Sequence, residues 1–231
     1  MCGIVGLFLK DKSLEPKLGA MLTDMLITMT DRGPDSAGIA VYGQDLEGYA
    51  KLTVQSSDPA GFDALGALAS AIAAEVSVRV IDTHAVLELP EDKIAKARAY
   101  LRENNPDIRV MSAGEVIEIY KEVGLPEDVA QRFDIPQLTG SHGIGHTRMA
   151  TESAVTTLGA HPFNTGPDQC LVHNGSLSNH NALRRKLKRQ GVHVETLNDT
   201  EGAAAYLTWR MQEGETLGEA LESGLEDLDG F

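Results

Sequence analysis

Apolar positions along this chain follow two different periods, and the switches between them mark its elements. The opening run CGIVGLFL, Cys2 to Leu9, is apolar almost throughout and closes at Lys10, which predicts a buried strand. Leu18, Met21, Leu22, Met25, Leu26 and Met29 then recur at i, i+3, i+4, i+7, i+8 and i+11, a single stripe along a helix. A methionine-rich stripe at this spacing reads as a core face. The helix stops at DRGPDS, where Gly33 and Pro34 break it. AGIAVYG and YAKLTV predict the second and third strands.

From 58 to 137 the character changes. FDALGALASAIAA predicts a helix, EVSVRVID an alternating strand and HAVLEL another; EDKIAKARAYLREN predicts a helix, IRVMS a short strand and AGEVIEIYKEVG a further helix. No catalytic constellation falls in this stretch. It is expected to be a small inserted α/β elaboration, residues 58–137, within one domain spanning 1–231. Beyond it, HGIGHTRM and CLVHN predict strands on either side of a loop rich in Gly, Thr and Ser. A helix capped by Ser178 should run to Gly191, NDTEGAAAYLTWRM opens another, and Leu217, Ala220, Leu221, Gly224, Leu225 and Leu228 mark the last.

Composition narrows the class. With 42% hydrophobic and 23% charged residues over 231 positions, the chain is ordinary globular protein with ample core. A net charge of −14 argues against a nucleic-acid or anionic-membrane surface, either of which needs clustered Lys and Arg. The local exception, ALRRKLKRQG at 182–191, reads as the solvated face of a helix, with a docking patch for an acidic partner as the alternative. Two cysteines far apart give no disulfide framework, the N-terminal run lacks the marks of a signal peptide, and no stretch nears the ~18 apolar residues of a membrane span. The expectation is a soluble, cytoplasmic protein.

Candidate chemistry begins at Cys2. A cysteine exposed by loss of Met1 carries a thiol and a free α-amino group on one residue. That amine, with an ordinary pKa of ~7.7–8.0, can serve as base near neutral pH, and a thiolate is a strong nucleophile. Taken alone, Cys2 reads better as a buried strand cysteine. The ordered set MCGIVG, RGPDSAG, GHTRMAT, AHPF, VHNGSLSN and NDTE changes that balance. Over residues 1–43 and 140–231 this set resembles the class II glutamine amidotransferases, members of the N-terminal-nucleophile hydrolase superfamily. The long insert and the strings RMATES and HPFNTG look most like the stand-alone amidotransferase subunits of glutamate synthase or N-methylglutamate synthase complexes.

The resemblance implies an α+β fold, a four-layer αββα sandwich of two stacked antiparallel sheets with the inserted segment. It also implies that the C-terminus, GLEDLDGF, stops short of further strands. It makes Cys2 the nucleophile toward glutamine, with ammonia released and a γ-glutamyl thioester formed. Asn174 and Gly175 would supply the oxyanion donors, and Arg32 would help fix the nucleophile's strand. Arg148 would bind the substrate α-carboxylate and Asp199 its α-ammonium, a position that also suits a helix cap. Thr151 and His161 would contribute to substrate binding from a loop that folds over glutamine; Met149 and Glu152 depart there from other branches. The partner implied is a synthase subunit that consumes the ammonia, of flavin-dependent glutamate synthase type, since no flavin, nicotinamide, phosphate-loop or iron–sulfur motif is present here. No cofactor, metal, nucleic acid or membrane is implied.

Six of the seven histidines lie between 142 and 193, and His142 and His146 share a strand face, so a metallo-hydrolase is one rival reading. No HExxH or paired CxxC spacing supports it. The other rival is a catalytically silent module that only binds glutamine or a partner. Cys170 is expected to pack inside its strand.

Overall fold

The computed structural model describes residues 2–150 and 154–230. The first sheet is antiparallel with order β1-β8-β2-β7, built from β1 (Gly3–Phe8), β2 (Ser36–Tyr42), β7 (Ile117–Val123) and β8 (His142–Arg148). On one face Val5, Ala37, Ile39 and Val41 pack against Leu18, Leu22 and Leu26 of α1 (Leu18–Ile27), and against Val129 and Phe133 at α4 (Pro126–Arg132). The predicted apolar stripe is therefore the seam between helix and sheet. Strand β8 lets α1 settle there because it presents glycine: a Cβ on Gly143 would stand 2.4 Å from Leu22 Cδ1.

On the other face Ala40, Ile117 and Ile119 cluster with Ile144, Leu158 and Cys170. Cys170 belongs to a hairpin of β9 (Phe163–Gly166) and β10 (Gln169–Leu171), and α6 (Asp199–Gln212) packs on the hairpin's outer side. Leu183 and Leu187 of α5 (His180–Arg189) join Ala205 and Tyr206 of α6, and α7 (Leu217–Asp227) completes that layer through a capping box of Thr216 and Glu219. The order helix, sheet, hairpin, helix gives the αββα layering.

A second antiparallel sheet, order β4-β5-β3-β6, stands beside these layers. It comprises β3 (Tyr49–Gln55), β4 (Ser77–Ile81), β5 (His84–Pro90) and β6 (Arg109–Gly114), with α2 (Leu68–Ile72) and α3 (Ile94–Asn104) on one face. The strand pairings set the bounds of this unit at 49–114 rather than 58–137, because β3 lies at its centre while β7 returns to the first sheet.

Two expectations need correction. AGEVIEIYKEVG is not a helix: residues 117–123 form β7, paired with β2 from Ile117↔Tyr42 to Val123↔Ser36. Val116, Ile119, Tyr120 and Val123 satisfy a helical period, but the charges between them are not a solvent face. Glu118 is buried and paired with Lys51 at 2.9 Å and Arg79 at 2.7 Å, which ties β7 to the side sheet. Long-range pairing of those charges overrides the local pattern. Ser178 does not cap α5 either; the cap position is Asn179, and the Ser178 hydroxyl donates to Asp229 O at 3.0 Å.

Candidate active site

Strand register brings the ends of the chain's motifs together. Gly3 pairs with Thr147 on β8, so one residue further out Cys2 arrives beside Arg148. The Cys2 thiol lies 3.9 Å from Met149 O. The Cys2 carbonyl oxygen accepts from Asn174 Nδ2 at 3.0 Å and from Arg32 Nε at 3.3 Å, so two side chains hold this residue's backbone. An amide nitrogen carries two N–H groups, and the Cys2 carbonyl uses one of them.

Cys2, Arg148, His161, Asn174, Gly175 and Asp199 line one cavity of about 780 Å³. They come from five separate stretches: the head of β1, the end of β8, the turn before β9, the two adjacent positions after β10, and the start of α6. Arg32 touches Cys2 from outside this lining. Thr151 and Glu152 lie outside the described residues.

Asp199 differs from the expected cap. Asn198 is the N-cap of α6, its side chain accepting from Thr200 N at 2.9 Å. That leaves the Asp199 carboxylate to accept from Leu177 N at 2.8 Å and to face the cavity at the helix's N-terminal end. A carboxylate accepts at about four lone-pair positions, so capacity for an ammonium is left. Arg148 is buried to 8% exposure and donates to Ala154 O at 3.4 Å across the loop.

Sequence reasoning missed several residues that line the cavity or hold the segments that do. Thr200, one position past Asp199, has its hydroxyl 2.8 Å from His161 Nε2 and 3.5 Å from His173 Nδ1. Asp35 accepts from Ala150 N at 2.7 Å and so anchors the loop after β8. Thr200 and Asp35 lie inside the NDTE and RGPDSAG strings, which was the available signal. Lys121 is another: its ammonium donates to backbone oxygens of Leu158, Ala160 and Pro162, and nothing in its local sequence announces this. Burial pulls that ammonium down to about 7, against the raising effect of Glu201 and Glu195.

Two buried imidazoles of the histidine cluster, His146 and His161, are held toward the neutral form. Burial pulls His146 down to about 4 and His161 well below the ordinary imidazole range, with the neighbouring imidazoles, Lys121 and Arg148 adding to the effect on His161. Their rings lie 4.2 Å apart. Among the described residues no group of three or more His, Cys, Asp or Glu side chains could hold a metal ion. His142 points elsewhere and stacks on Tyr42 at 4.0 Å. Cys170 meets Tyr42 Oη at 3.3 Å, and burial raises its thiol to about 11, far from the cavity's chemistry.

The layering and the N-terminal cysteine at the head of a central-sheet strand define an N-terminal-nucleophile amidotransferase fold. A solved structure described as the allosteric regulatory enzyme of purine biosynthesis shares it, with a TM-score of 0.58 at 18% identity over 98% of this chain and 33% of that one. Residues 137–222 match a glutamine amidotransferase domain model. The glutamine amidotransferase-like protein GlxB of Rhizobium meliloti is 62% identical over all of this chain and 77% of its own length. The glutamine–fructose-6-phosphate aminotransferase of Vibrio parahaemolyticus is 32% identical over 53% of this chain and 20% of that enzyme. The chain belongs to the class II glutamine amidotransferase family. Among the described residues no helix is long and apolar enough to cross a membrane.

Proposed function

We propose that this chain hydrolyses glutamine through Cys2 and hands the ammonia to a separate synthase subunit. The observation that carries the reading is the convergence of Cys2, Arg148, Asn174, Gly175 and Asp199 on one cavity. Once Met1 is removed, the Cys2 α-amine takes the thiol proton and the thiolate attacks the glutamine carboxamide carbon. The carbonyl oxygen becomes an anion, held by the second N–H of Asn174 and the backbone N–H of Gly175. The protonated amine returns its proton to the departing nitrogen. Ammonia leaves, a γ-glutamyl thioester remains, and water then hydrolyses it to glutamate and regenerates the thiol.

Arg148 grips the substrate's α-carboxylate through its planar guanidinium. Asp199 holds the α-ammonium at the far wall, and His161 and Thr151 contribute from the loop. The downward shift of His161 suits this wall, because a cation there would repel the substrate ammonium. Arg32 keeps the Cys2 carbonyl, and with it the strand end, in place.

The acceptor is proposed to be a flavin-dependent synthase of glutamate synthase or N-methylglutamate synthase type. The test is mass spectrometry of the protein quenched during turnover, with a glutamyl adduct on Cys2 and no Met1. An adduct on another residue, or retained Met1 in active protein, overturns the catalytic reading. Co-expression with a flavin-dependent synthase subunit should give glutamine-dependent amination of that subunit's acceptor. Amination supported only by added ammonia overturns the partner assignment.

A further inference from the structure

Edge strand β7 carries a buried ammonium that the proposed chemistry does not use. Lys121 Nζ lies 2.8 Å from Ala160 O, 3.1 Å from Pro162 O and 3.4 Å from Leu158 O, so its three N–H donors meet three backbone carbonyls of a single turn. It also stands 4.3 Å above the Phe163 ring. Next to it, Glu122 accepts from the Thr157 hydroxyl. The gripped turn presses on the sheet: a Cβ on Gly38 would lie 2.1 Å from His161 O.

That turn is also a wall of the glutamine cavity, which Gly159 and His161 line. From the opposite wall Asn198 Nδ2 reaches Gly159 O at 3.3 Å and Thr200 meets His161. The segment is therefore suspended between β7 on one side and the head of α6, with its Asp199, on the other. An apolar side chain would fill the Lys121 site without the desolvation cost of a buried ammonium. What it could not do is hold three carbonyls in fixed directions.

We propose that Lys121 is a positioning residue for glutamine binding: its ammonium fixes the 158–162 turn and so keeps the Gly159–His161 wall at the right distance from Asp199. The inference rests on the reading of the cavity as a glutamine site. Removing the clamp lets the turn adopt other arrangements, only a fraction of which accept substrate. Apparent affinity falls by that fraction while the chemistry at Cys2 is unchanged.

The test uses the full chain after Met1 removal. For Lys121→Met the expected result is a KM for glutamine raised about tenfold or more, with kcat within about threefold of the parent. Alkylation of Cys2 by iodoacetamide, a small reagent that does not need the amino-acid grip, keeps its rate. The glutamine concentration that half-protects Cys2 from alkylation rises in parallel with KM. An unchanged KM and protection concentration overturns the proposal, as does a loss confined to kcat. If Lys121→Met does not fold, Lys121→Gln, which retains two N–H donors, is read by the same criteria. Failure of both to fold assigns Lys121 to fold stability alone and overturns the proposal. If the parent shows no turnover but glutamine still protects Cys2, the catalytic reading fails by itself and the protection measurement judges Lys121; absence of protection in the parent overturns both.

Discussion

Acid should destabilise this fold through histidines that are buried neutral, and the effect can be sized. His84 on β5 is held down to about 3 and His146 on β8 to about 4, in both cases mainly by burial. His84 meets the edge of Phe133 at 4.6 Å, and its Nδ1 lies 3.2 Å from the Thr83 hydroxyl. That hydroxyl donates to Glu122, so Nδ1 carries the proton and Nε2 faces a dry interior without a partner among the described residues. In the unfolded chain each imidazole titrates near ~6.5. Because the folded values are lower, the unfolded state binds more protons between ~6.5 and the folded pKa. Stability is thus complete above ~6.5 and is lost as pH falls. Between pH 7 and 5.5 each group removes about 1.3 kcal/mol, or ~2.5 kcal/mol for the pair, against a typical total of ~5–15 kcal/mol. The buried His161 acts in the same direction. Urea unfolding followed by circular dichroism at pH 7 and 5.5 measures the loss. Comparison with His84→Asn isolates one imidazole from the many surface carboxylates: the variant should lose about 1.3 kcal/mol less over that interval. Parallel stability curves for parent and variant from pH 7 to 5.5 would refute the reasoning.

Other substitutions separate the proposed roles. Cys2→Ala should abolish glutaminase turnover while Cys170→Ala leaves it nearly intact in a coupled glutamate assay; equal loss from both would mean the thiol assignment is wrong. Asn174→Ala should lower kcat by roughly 10²–10³, about 2.7–4 kcal/mol of barrier, with a smaller change in KM. A change in KM alone would remove Asn174 from the oxyanion site. Asp199→Asn should raise the KM for glutamine, and glutaramate, which lacks the α-ammonium, should discriminate little between parent and variant as an inhibitor. Gly143→Val should cost about 1–3 kcal/mol in thermal or urea unfolding by pushing α1 off β8, and an unchanged midpoint would contradict the close approach of Leu22.

The elements that packed by local rules were legible in the sequence. The stripe Leu18 to Leu26 is the helix seam, and the run after Cys2 is a central-sheet strand. Cys2, Arg148, His161, Asn174, Gly175 and Asp199 could be placed together because each sat within a motif whose order along the chain carried information. Strand β7 was not, since its charges meet partners more than 30 residues away, such as Lys51 with Glu118 and Lys121 with the 158–162 turn. Periodicity treats a charged residue as solvent-facing, and no short window contains the partner that buries it. The bounds of the side unit were missed for the same reason: β3 looks like its predecessors until its pairing with β5 and β6 is known.

The pairing of β1 with β8 also sets a rule for handling the molecule. Each residue in such a ladder advances the backbone by ~3.4 Å and alternates the side-chain direction. Any extension fused ahead of Cys2 would turn its amine into an amide at a residue that lines the cavity. On the proposed mechanism an affinity handle therefore belongs on the opposite terminus, and recombinant material needs aminopeptidase processing before any assay is interpreted.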